Sequence, residues 1–157
     1  MIKLQLIIVG KLKENFIILG VQEYLKRINR YAELTVVPVK EERITKGAPE
    51  ALIKEKEGER ILKKIPENGF WVALDRMGRE MDSRQHFDFL KVHQEKGTKK
   101  MAYIIGGPLG LSGEVLNRAP MVLSLSRMTL NHEMSSLVLL EQLYRYLNFA
   151  AGEKYHK

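Results

Sequence analysis

"MAYIIGGPLGLSGEVL", residues 101–116, passes from an apolar run through a glycine-rich turn into a helical start. Residues 101–105 are short, apolar and end in β-branched side chains, the composition of a buried strand. Ser112, with Glu114 two residues on, reads as an N-cap followed by an acid in the first helical turn. Between them stand Gly106, Gly107 and Gly110. Glycine is favoured where the chain needs a positive φ or where another group must come closer than a Cβ permits. A strand-to-helix turn of this kind is the ligand-facing end of a parallel sheet.

Outward from that turn the hydrophobic period alternates. Strands are expected over 3–9, 34–39, 69–75, 101–105 and 121–125, and helices over 15–30, 49–64, 83–95, from 112, and over 132–151. Five strands alternating with five helices predict an α/β fold with a mainly parallel sheet, and 157 residues predict one domain over 1–157. Within the charged stretch "KEERITKGAPE", residues 40–50, the loop at 40–48 is the candidate for disorder. From Met134 onward the last helix carries more apolar residues than one stripe, which predicts a second cover beyond the sheet and hence a homodimer.

Composition narrows the chemistry. With no cysteine there is no disulfide frame, thiolate nucleophile or Cys-ligated zinc. No stretch approaches the roughly 20 apolar residues of a membrane span, and the opening "MIKLQLIIVGKLK" has no small-residue cleavage site, so it is read as a strand and the cytoplasm is expected. Twenty-six Lys and Arg against nineteen Asp and Glu give a formal charge of +7, a field that favours a polyanion. Lys11, Lys13, Lys26, Arg27 and Arg30 gather around the first helix, where a solvated face is the plainer reading.

The glycine turn is neither a P-loop, which needs Lys then Ser or Thr at the helix start, nor a dinucleotide fingerprint, since its spacing is G-G-x-x-G after a late strand. A second turn, "VLSLSRMTLNHE" at 122–133, can fold round the edge of a flat heterocycle, with main-chain groups reading it and Leu125, Met128 and Leu130 covering its faces. It also reads as a capped loop with Thr129 or Asn131 as N-cap. "VALD" at 72–75 ends a third strand on the same edge if the sheet is parallel. The histidines lack metal-ligand spacing; His86 and His93 are expected on the surface, and His132 beside the pocket. No G-x-S-x-G elbow is present for a serine hydrolase.

In combination, "IIGGPLGLS" (104–112), "LSLSRMTLNH" (123–132), "LLEQLYR" (139–145) and the terminal "YHK", with "VGKLKE" (9–14) and "KEGERIL" (56–62), resemble the ribosomal RNA large subunit methyltransferase H family of the SPOUT superfamily. The resemblance covers essentially the whole chain. It implies a homodimeric α/β fold whose C-terminal part is tied in a trefoil knot. It also implies S-adenosylmethionine-dependent methylation of N3 of a pseudouridine in 23S ribosomal RNA on assembled ribosomes, without a metal. By position, Leu74, Gly106 and Leu125, Ser126, Arg127, Met128, Thr129 and Leu130 would hold the methyl donor. His132, Arg145, Tyr155, His156 and Lys157 would meet substrate RNA; of these Arg145, Tyr155 and His156 are the candidate catalytic residues, with His156 as proton acceptor. Two positions depart from the family pattern, Asn131 for a proline and Ser136 for an arginine, both on the substrate side. Rival readings are a SPOUT-type enzyme acting on another RNA such as tRNA, a ribosome-binding module without catalysis, and an adenosine-binding regulator.

Overall fold

The computed structural model describes residues 2–153. Its elements are β1 (Lys3–Val9), α1 (Asn15–Ile28), β2 (Glu33–Val39), α2 (Glu50–Leu62), β3 (Phe70–Glu80), α3 (Ser83–Glu95), β4 (Lys100–Ile105), α4 (Gly113–Arg118), β5 (Met121–Ser124) and α5 (His132–Ala150). The five strands form one sheet in the order β2-β1-β4-β3-β5, every pairing parallel.

Alternate strand residues sort into two cores. Leu4, Leu6 and Ile8 join Met101, Tyr103 and Ile105 on the face covered by α1, α3 and α5, while Ile7, Val9, Ala102 and Ile104 meet Ile61 of α2 and Val115 of α4 on the other. Connections that step toward β2 cross the first face and those that step toward β5 cross the second, so all four crossovers share one hand. On α1, Ile17, Val21 and Ile28 recur on one buried side, and burying each contributes roughly 1.5–3 kcal/mol. α5 turns back from the edge strand to pack on α1, β1 and β4. From His132 to Asn148 none of its residues is fully exposed.

Two sequence expectations need correction. β3 does not stop at residue 75: it continues to Glu80 after a bulge, its register against β5 jumping from Leu74 to Arg79. Gly78 makes this approach possible, because a Cβ there would stand 2.8 Å from the Val122 carbonyl carbon and oxygen. His86 is not a surface residue. It is 5% exposed, its Nε2 lies 2.9 Å from the buried Tyr103 hydroxyl, and burial takes its imidazole down to about 4. His93 is half-buried with its ring centroid 4.0 Å from that of Phe70. α3 looked charged because its apolar stripe is narrow and includes the histidine itself.

Candidate functional site

β4, β3 and β5 are adjacent, so their carboxyl ends deliver three turns to one place. Leu74, Asp75 and Arg76 follow one strand, Ile105 to Gly110 the next, and Leu125, Ser126 and Met128 to Leu130 the third; with Asn131, His132 and Ser135 they line a cleft of about 800 Å³. This is the edge where a parallel sheet binds ligands.

The glycine turn is shaped by contact more than by conformation. Only Gly110, at φ +85°, needs the left-handed region. A Cβ on Gly106 would lie 2.9 Å from the Gly110 carbonyl carbon and 3.0 Å from Leu111 Cδ2. The turn closes with Gly110 N–H donating to Gly107 carbonyl at 2.9 Å, and Ser112 then caps α4, its Oγ accepting from Val115 N–H at 3.2 Å.

The segment after β5 supplies free main-chain groups. Among the described residues, the one hydrogen bond made by a main-chain N–H between Ser126 and Leu130 is that of Met128 to the Ser126 hydroxyl, 3.0 Å. Ser124 Oγ donates to the Arg76 carbonyl at 2.9 Å and joins this segment to the β3 bulge. Arg127 turns away from the cleft and pairs with Glu80 at 2.8 Å. Unpaired amides and carbonyls beside Leu74, Ile105, Leu125 and Leu130 suit a flat, hydrogen-bonding heterocycle.

α5 begins at the cleft. Asn131, one of the two expected caps, is the N-cap: its Oδ1 accepts from Met134 N–H at 2.8 Å, and Ser136 Oγ donates to the His132 carbonyl at 2.8 Å. Glu133 reaches across to accept the N–H groups of Lys13 and of Glu14, the latter at 2.9 Å. These bonds hold the Glu133 carboxyl below the usual carboxylate range and cap α1, whose own Glu14 makes no side-chain cap. Glu133 therefore fixes the 9–14 turn beside His132. Arg145 is not at this cleft. It lies further along α5, paired with Glu141 at 2.5 Å. Tyr155, His156 and Lys157 fall outside the described residues.

Sequence reading missed Arg76, Ile105 and Ser135 as cleft residues. The signal for Arg76 was Gly78, which marks a strand that resumes after a bulge.

Comparisons agree with this geometry. The family described as "Predicted SPOUT methyltransferase" matches residues 2–156. A solved structure of "a probable methylase family protein from Haemophilus influenzae Rd KW20" has a TM-score of 0.57 at 11% identity over 98% of this chain and 70% of that one, a likeness of fold alone. The chain is 44% identical to "Ribosomal RNA large subunit methyltransferase H" of Halothermothrix orenii over 99% of both chains. It is also 44% identical to the protein of that name in Alkaliphilus oremlandii, over 97% of this chain and 98% of that one. An all-parallel sheet with its cleft at three adjacent strand ends, matched along its whole length at such identity, belongs to a SPOUT methyltransferase of the ribosomal RNA large subunit methyltransferase H family.

Proposed function

We propose that this chain, acting as one SPOUT methyltransferase domain over 1–157, methylates N3 of a pseudouridine in 23S ribosomal RNA, on assembled ribosomes in the cytoplasm, with S-adenosylmethionine as donor. The observation that carries this reading is the cleft: unpaired main-chain groups, apolar covers and a glycine turn with room only for backbone fit an adenosine-bearing ligand.

Leu74, Gly106 and the main chain of 125–130 would hold the donor, with Leu125, Met128 and Leu130 against the flat ring. When bound, S-adenosylmethionine supplies a methyl group on a sulfonium, an electrophile that needs alignment more than activation. Alignment is then the chain's main task, worth several orders of magnitude when reacting atoms are held about 3–3.5 Å apart. His132, which lines the cleft at the start of α5, would meet the incoming base. Tyr155 would stack on the nucleobase, Arg145 and Lys157 would meet phosphate, and His156 would accept the N3 proton so that the nitrogen lone pair is free.

The reading includes a homodimer. Glu153 is held by Tyr31 at 2.8 Å and by Asn148 at 2.9 Å. Asn148 lies about 24 Å along α5 from His132. In this reading Tyr155, His156 and Lys157, which lie outside the described residues, would serve the cleft of a second copy. Phe16 and Leu19, exposed on α1 next to α5, offer apolar surface for that copy. In the same reading, the return of α5 from β5 across to α1 and β1 belongs to the C-terminal trefoil knot.

The test is methyl transfer from labelled S-adenosylmethionine to ribosomes from a strain lacking this protein, with the modified nucleotide mapped. Label on a large-subunit pseudouridine is expected. Label only on tRNA moves the substrate, and donor binding without any transfer leaves a ribosome-binding module. Light scattering at micromolar concentration should give twice the mass of one chain; a monomer would remove the shared site. A chain lacking 154–157 mixed with Gly106→Val should regain activity that neither has alone.

A further inference from the structure

We infer that Glu57 of α2 is a positioning residue for the methyl donor, fixing the glycine turn of the cleft and the 40–42 segment to one buried carboxyl group. The inference rests on the reading of the cleft as the donor site.

Glu57 is 3% exposed, and an acid so buried on an amphipathic helix demands a reason. Its Oε2 accepts Glu42 N–H at 2.9 Å. The nearby cation is already engaged: Arg60 pairs with the Glu42 carboxylate at 2.5 Å and donates to the Lys40 carbonyl at 3.1 Å. The carboxyl of Glu57 instead lies beneath the glycine turn, where a Cβ on Gly107 would stand 3.3 Å from Oε1 and 3.4 Å from Oε2. Gly107 lines the cleft directly after Gly106.

Its neighbour explains how the helix comes so close. A Cβ on Gly58 would fall 2.6 Å from Ser112 Oγ and 3.2 Å from Val115 Cγ2, so glycine there lets α2 lie against the start of α4. Gly58 sets the approach and Glu57 uses it. The other segment held by Glu57 also reaches the site: Glu41 Oε2 and His132 Nε2 lie 3.4 and 4.0 Å from the position of a Cβ on Gly10. One carboxyl thus sets the spacing between the wall that backs the donor and the segment facing His132. An apolar side chain could fill the same space beneath Gly107 but could not accept the Glu42 N–H. Burial pushes the Glu57 carboxyl above the usual carboxylate range, opposed by the Glu42 N–H that it accepts.

Donor binding by calorimetry tests the assignment. Glu57→Ala should weaken S-adenosylmethionine binding by about tenfold or more while cooperative urea unfolding persists. Glu57→Gln keeps an acceptor oxygen of the same reach and should bind within about threefold of the parent. Gly107→Ala should cost about tenfold in the parent and clearly less in the Glu57→Ala background, because the contact is then relieved. If the alanine variant does not fold, Glu57→Asp, which withdraws the carboxyl by one methylene, should show both the loss and the relief. Parent-like binding by Glu57→Ala or Glu57→Asp, or a Gly107→Ala cost unchanged by the background, overturns the inference alone. A parent protein that binds no donor overturns the reading of the cleft and the inference with it.

Discussion

Gly106→Val should weaken methyl-donor binding by more than about a hundredfold and leave the sheet folded. The added Cβ meets the Gly110 carbonyl carbon at 2.9 Å, its oxygen at 3.1 Å and Leu111 Cδ2 at 3.0 Å. Two of these are main-chain atoms and cannot swing aside as a side-chain tip can. Overpacking of this kind costs about 1–3 kcal/mol, and the least expensive relief is to open the turn. That turn is closed by main-chain pairing of Gly110 with Gly107 alone, whereas β4 is hydrogen-bonded on both sides by β1 and β3. The strain therefore goes into the cleft wall. Alanine should weaken donor binding by roughly tenfold and valine by more than about a hundredfold, with urea midpoints close to the parent. Calorimetry of the variants beside the parent decides it, and undiminished binding by the valine variant would remove the glycine turn from the donor site.

The second large effect concerns pH and lies away from the cleft. His86 is favoured neutral in the fold because burial lowers it from 6.5 to about 4. The sign follows: stability from the neutral imidazole is complete above pH 6.5 and is lost as pH falls from 6.5 toward 4. The full loss is roughly 3 kcal/mol, a large share of a small domain's stability. His93, lowered by burial and by Lys96, acts in the same direction, and the carboxylates of Glu23, Glu42 and Glu133 add their own losses at lower pH. A paired comparison isolates His86. In His86→Leu with Tyr103→Phe both buried polar partners leave together, so stability at pH 7.5 should change little, while the fall between pH 6.5 and 4.5 becomes shallower. His86→Leu alone strands the Tyr103 hydroxyl and should cost about 1–3 kcal/mol at every pH. Urea unfolding across pH 8 to 4.5 gives all three curves, and parallel parent and double-variant curves would refute the assignment.

Local patterning made most of the fold legible. The 101–116 stretch carried its own strand, its turn glycines and the Ser112 cap, and each stands where the residue chemistry put it. β1 and α3 have the expected boundaries as well. The cleft was legible for a related reason: in a parallel sheet the carboxyl ends of neighbouring strands share an edge, so three polar or glycine-bearing strand ends had to converge. The failures share a cause too. His86 looked exposed because α3 shows a charged pattern, and burial of one imidazole depends on which tyrosine stands opposite in β4. The second half of β3 was missed because a bulge breaks the period of two, and its continuation depends on β5 beside Gly78.

By itself, then, the sequence determined the order and kind of the elements, the parallel sheet, the turn chemistry and the resemblance to one methyltransferase family, because these arise from periodicity and from residues near in the chain. Tertiary structure alone decided what rests on distant partners. Glu133 caps α1 from 119 residues away, Glu57 meets a glycine fifty positions on, and burial beside Tyr103 favours the neutral form of His86. A side chain's period tells which face it takes, but its protonation and its bonds are set by whatever the fold places across from it.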